Sequence, residues 1–167
     1  MTDDPAAVEE HIKEVYAQAG LALYFAQCFE MALANFLFIY HRATNDRVTV
    51  EELLALESSN AKKTLGALLM KTKDLCSFDQ DALDRLDQAL EHRNRLSHHF
   101  FKDHGESFLS WSGREKMLEV LLEIQRSLQI ADTLIEATNR AMSQAIGVTD
   151  EIIQQELAKI YATAEDA

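Results

Sequence analysis

The sequence predicts an all-α protein: an up-and-down bundle of four to five main helices, two of them long and antiparallel. Three observations carry this. Apolar residues recur at alternating steps of four and three across residues 8–40 and again across 117–145. Helix-start signals punctuate the chain at regular intervals. Five Gly and one Pro in 167 residues leave too few turns for a sandwich or a doubly wound sheet.

The elements follow in order. Asp4 before Pro5 is a helix start: a carboxylate cap, then proline where its missing N–H costs nothing. The stripe Val8, Ile12, Val15, Ala19, Ala22, Ala26, Phe29, Leu33, Phe36, Tyr40 is the seam of one packed helix, about 50 Å long. Thr49 with Glu52 and Ser77 with Gln80 read as capping boxes. Short helices are expected near 50–57 and 60–73, then one over 79–100. Residues 101–111 read as the one real loop; its Phe101, Phe108 and Trp111 require that it pack down on the bundle. Ser112 with Glu115 reads as a third capping box, opening a helix with the stripe Met117, Leu121, Ile124, Leu128, Ala131, Ile135, Thr138, Met142, Ala145. Gly147 ends it, and Thr149 caps a last helix to about residue 164. Residues 1–147 form the bundle; residues 148–167 are an accessory helix of the same domain.

Composition narrows function. With 16 Lys and Arg against 28 Asp and Glu, the formal charge is −12. That excludes broad coating of nucleic acid, which needs many cations on phosphates. A small basic site on an acidic body stays compatible with it. Cys28 and Cys76 form no C-x-x-C pair and read as reduced thiols of a cytoplasmic protein. The acidic, polar start has no secretory signal character. Residues 21–40 have the length and apolarity of a membrane span, but Glu30 sits at their centre and no basic flank precedes them. They read as a bundle helix or a dimer contact, with no membrane.

Motif searches mostly eliminate. None of the six histidines has a Glu three residues before it, so the di-metal carboxylate site of four-helix bundles is excluded. There is no Gly-rich phosphate loop, H-E-x-x-H or G-x-S-x-G, and no cofactor is implied. One anomaly remains. Residues 91–104 hold four of the six histidines and three cations against two anions. At 100° per residue, Ala82, Leu83, Leu86, Ala89, Leu90, Leu96 and Phe100 share one arc of the fourth long segment. Arg93 falls in the middle of that arc, Asn94 and His98 lie on its shoulder, and Arg95 faces water, within reach of Glu91. His92 and His99 fall on the polar face. A buried Arg must be paired. Either an acid of a neighbouring helix holds Arg93, or it serves an anionic ligand; spacing leaves both open. A metal site on His98, His99 and His104 is the weaker reading, since neighbours at i and i+1 diverge on a helix.

The run Arg93-Asn94-Arg95-Leu96-Ser97-His98-His99-Phe100 resembles the signature of the HEPN superfamily (higher eukaryotes and prokaryotes nucleotide-binding). There an Arg, often followed by a polar residue, precedes a His by four to six positions, with an aromatic soon after. His99 also satisfies the looser spacing. The resemblance covers residues 8–146 and implies a metal-independent endoribonuclease of toxin or defence type. It acts as a homodimer, with Arg and His of both subunits lining one cleft. It also implies a cognate antitoxin protein as an expected partner. By that resemblance Arg93 and His98 are the catalytic pair and RNA the substrate, with Asn94, Arg95 and His99 contacting it. Arg93 and His98 stand about 140° apart on an ideal helix, so they meet only if the helix bends or two copies come together. Other HEPN proteins are non-catalytic modules for assembly or nucleotide binding, which is the alternative function.

Overall fold

In the computed structural model, residues 4–45 and 47–165 are described. The chain is all-helical. The elements are α1 (Pro5–Thr44), α2 (Val50–Asn60), α3 (Leu65–Leu75), α4 (Gln80–His98), α5 (Phe100–Asp103), α6 (Gly105–Phe108), α7 (Trp111–Ala145) and α8 (Asp150–Glu165).

The caps explain the boundaries. The Asp4 carboxylate accepts from the Ala6 N–H at 3.1 Å, ahead of Pro5. At α2 both halves of the predicted box form: the Glu52 N–H donates to Thr49 Oγ1 at 3.2 Å and the Thr49 N–H to Glu52 Oε2 at 2.9 Å. Two other boxes are displaced. Asp79, not Ser77, caps α4, its carboxylate accepting from the Ala82 N–H at 2.8 Å. A charged acceptor suits a helix N-terminus, and Phe78 ahead of it is drawn against the core. Ser110, not Ser112, caps α7, which puts Trp111 into the first turn. Gly147 adopts φ +84°, and the Val148 N–H reaches back to the Ser143 carbonyl at 2.9 Å to close α7.

Side chains paired between helices fix the directions. Arg114, Gln125 and Asn139 of α7 bond to His11, Gln18 and Ala32 of α1, so residue numbers rise together. The two long helices are therefore parallel, not antiparallel. Arg93 of α4 faces Glu30, while Phe101 just beyond it meets Tyr16, so that strand of the bundle runs against α1. Lys73 pairs with Asp87, and Gly66 lies against Leu90, so α3 opposes α4. Between the long helices stand three others, α2, α3 and α4. Passing through them the chain reverses four times, an even number, which returns α7 to the direction of α1 and keeps the up-and-down order.

The core joins these faces: Val15, Phe29, Leu33 and Phe36 of α1, Leu65, Leu68 and Leu69 of α3, Leu86 and Leu96 of α4, Phe100, and Met117, Leu121, Ile124, Leu128 and Ile135 of α7. The ends of both stripes drift. Asn139 is buried where Thr138 was expected, Ala145 is exposed, and Ala32 and Leu37 join the core of α1. A 3.5-residue repeat slips about 20° per heptad on a straight 3.6-residue helix, so its far end leaves the packed face. Residues 101–111 are not a loop but two single helical turns and a bend. They pack as expected: Phe101 and Phe108 lie 5.8 and 5.6 Å from the Tyr16 ring, and Trp111 lies 3.9 Å from His11.

Candidate functional site

The Arg93–His99 segment closes α4 beside the middle of α1, where α5 begins. The helix stops at His98, and the His99 N–H donates to the Arg95 carbonyl at 2.9 Å. Leu96 and Phe100 are buried and pin the segment to the core. The polar side chains between them are left around the rim.

Arg93 does not enter the core as the arc suggests. Its side chain is 25% exposed, between α4 and Glu30 of α1. The guanidinium has an acidic neighbour in its own chain, Glu30 Oε2 at 4.0 Å, and donates to Asn94 Oδ1 at 3.2 Å. The pair is loose, since Glu30 is 36% exposed and the contact is at the limit of an ion pair.

His98 is exposed, with its ring 6.2 Å from that of His99 and edge-on to it. Asn94, Arg95 and His99 share an open groove of about 510 Å³ with Asp87, Leu90, Glu91 and Asp103. Arg93 and His98 do not line it. Three carboxylates rim this groove, two of them facing Lys73 and Arg95, so it is a poor site for phosphate. Arg95 also has an acidic neighbour: its Nε faces Asp103 at 3.7 Å, not Glu91 as its spacing suggests. The turn into α5 brings Asp103 back over Arg95, a contact that a continuous helix would not make. Of the five site residues, three therefore share a groove, while Arg93 and His98 sit on either side of the same helix end.

One neighbouring histidine, His92, is more enclosed than helical phase predicts. His92 is half-buried with Nδ1 shut away from any partner, and His104 packs 4.8 Å from the Phe100 ring with Nε2 equally closed off. Among the described residues no three His, Cys, Asp or Glu side chains are placed to share a metal ion.

Among the described residues the one buried cation is Arg114, which belongs to no sequence motif. It is 4% exposed, and among the described residues no carboxylate pairs with it. Its Nη1 donates to the Phe108 carbonyl at 2.9 Å, its Nε lies 3.4 Å from His11 Nδ1, and its head is 5.9 Å from the Trp111 ring. The signal was present: one step of three back from Met117 along the α7 stripe lands on Arg114. Its contacts tie α6, α7 and the start of α1 together, which makes it a structural residue.

Burial is the leading cause of a pKa shift at two groups, Asp132 and Cys76. Partial burial, and then the nearby Glu136 charge, push the Asp132 carboxyl up. Burial pushes the Cys76 thiol up, which keeps it a poor nucleophile.

Comparisons with protein-family models, with curated proteins and with solved structures each find no match to this chain.

Proposed function

We propose that this chain is an HEPN-like, metal-independent endoribonuclease of toxin or defence type that works as a homodimer, cutting RNA where the α4 ends of two copies meet. One observation carries the reading: Arg93 and His98 flank one exposed helix end, and neither is locked into a strong partner. Arg93 holds Glu30 only loosely, and His98 is open to solvent. In this scheme the Arg93 guanidinium binds the scissile phosphate and stabilises the charge that grows on it. The 2′-oxygen attacks phosphorus, the bond to the 5′-oxygen breaks, and His98 takes the proton from the first or supplies one to the second. Imidazole suits that exchange near neutral pH. Asn94, bonded to Arg93, orients the guanidinium. The acid-rimmed groove beside Arg95 and His99 is unsuited to the phosphate, so any contact from those two goes to base or sugar.

The Arg93–Glu30 contact favours a second reading, a non-catalytic module for dimerisation or for binding a nucleotide or partner. There Arg93 joins α4 to α1. RNA incubated with the protein in EDTA separates the two. Cleavage that survives chelation and is lost in both Arg93→Ala and His98→Ala supports the ribonuclease. Equal traces from all three proteins support the module.

A further inference from the structure

A cleft opens between the first turns of α8 and the last turns of α1 and α7. It measures about 410 Å³, room for a molecule of metabolite size. Phe38 and Ile39 of α1 and Ile153 of α8 give it an apolar side. Glu136, Asn139 and Arg140 of α7 and Asp150 of α8 give it a polar one. No residue of the 93–99 segment lines it.

Three features point to its occupant. The first is Asn139, 4% exposed. Its Nδ2 donates to the Ala32 carbonyl at 3.0 Å and to Glu136 Oε1 at 3.2 Å. Both partners are acceptors, so the orientation of the amide is fixed and Oδ1 is the atom left over. That oxygen is shut away with no donor, and a buried acceptor is costly to leave unmatched. The second feature is the charge beside it. Arg140 faces Asp150 at 3.6 Å, and among the described residues no cation pairs with Glu136. The field of Glu136 reaches one turn back, where it adds to burial in holding the Asp132 carboxyl above its ordinary range. The third is α8 itself. All its described side chains are exposed, and the Arg140–Asp150 contact is its one ion pair to the bundle among the described residues.

An ammonium group answers the first two features together. Its N–H bonds match Oδ1, and its charge matches Glu136. An anion would meet two carboxylates and an acceptor with no donor. A neutral hydroxyl supplies a donor but leaves the charge unanswered. Phe38, Ile39 and Ile153 take carbon attached to the head, and Ile153 belongs to α8, so a molecule seated here touches all three helices.

We propose that this cleft binds a small primary amine, with an ammonium head between Glu136 and Asn139 and an apolar skeleton on the Phe38 side, and that the bound amine ties α8 to the bundle.

Calorimetric titration of the full chain with phenethylamine, and separately with phenethyl alcohol, tests it at neutral pH and without RNA. The amine is expected to bind about tenfold or more tightly than the alcohol, which has the same skeleton and no charge. Glu136→Gln is expected to erase that preference, and Glu123→Gln, exposed elsewhere on α7, to keep it. Bound amine is expected to slow hydrogen exchange in residues 35–39 and 150–165. No binding of the amine, equal binding of the alcohol, a preference kept in Glu136→Gln, or slowed exchange confined to other segments overturns the proposal. Should Glu136→Gln unfold, the exchange map of the wild type decides. Cleavage of RNA through Arg93 and His98 needs none of these residues, so either result leaves the ribonuclease to its own test.

Discussion

Arg93 of α4 and Glu30 of α1 face each other at 4.0 Å, both partly in solvent, shortly before α4 gives way to α5. At this separation and exposure the pair is worth at most about 1 kcal/mol, and less in high salt. It holds the guanidinium near the seam without saturating it. Glu30→Gln is therefore expected to lower stability by under about 1 kcal/mol in urea titrations. The same change frees Arg93, so the ribonuclease reading expects cleavage to be kept or raised; loss of cleavage with the fold intact would count against it.

A second prediction concerns Gly113. The α6 turn crosses so close to α7 that a Cβ at this position would overlap the Ser107 carbonyl and sit 2.7 Å from its Cα. Those are backbone atoms and cannot rotate away. Gly113→Ala is expected to pry α6 from α7 and cost about 2 kcal/mol or more, although alanine is the better helix former. Thermal unfolding monitored by circular dichroism measures it.

Arg114 gives the third. Arg114→Ala removes a buried cation from the Phe108 carbonyl, the His11 imidazole and the Trp111 face. A loss of about 2–4 kcal/mol is expected, from lost packing as well as lost hydrogen bonds. Arg114→Lys should recover only part of it, because an ammonium lacks the planar fork. Full recovery by lysine would mean that charge alone matters here.

The fourth is electrostatic. Burial and then Glu136 hold the Asp132 carboxyl above its ordinary range. A raised folded-state value favours the protonated form, so this acid's stabilising contribution is present at low pH and is lost as pH rises through the raised value. Asp132→Asn is therefore expected to stabilise the protein at pH 7 and to change little near pH 3. Much of the carboxylate is still solvated, so the gain is a few tenths of a kcal/mol. Differential Tm across pH 3–8 shows whether the sign holds.

The fifth concerns α8. Every side chain described in it is exposed, among them Ile152, Ile153, Leu157, Ile160 and Tyr161. Its link to the bundle is a cleft at the end of α1 and α7, with Asp150 facing Arg140 at 3.6 Å. A chain ending at Val148 is expected to unfold within about 1 kcal/mol of full length. A larger loss would mean that α8 packs on the bundle.

Much of this fold is legible because local rules and packing agree. The seam of α1 from Val15 to Phe36 and that of α7 from Met117 to Ile135 follow from spacing alone, and Thr49 with Glu52 marks its boundary correctly. The direction of α7 was not legible, because it depends on the count of reversals between distant segments and not on any residue within them. The displaced caps at Asp79 and Ser110 show two acceptors competing for one helix start, and the winner is set by where Phe78 and Trp111 pack. At the candidate site, the gathering of cations and histidines near the end of α4 is plain in the sequence. Which of them share a groove is not, since the turn into α5 brings Asp103 back onto Arg95.

The most direct measurement mixes two inactive proteins. If one cleft uses Arg93 of one copy and His98 of the other, neither Arg93→Ala nor His98→Ala cuts RNA alone. Unfolded together and refolded as a mixture, they form heterodimers in which one cleft keeps both groups. The account predicts that cleavage in EDTA returns in the mixture, to a fraction of the wild-type rate. A mixture as inactive as its two components, beside an active wild type, would contradict a site shared between copies.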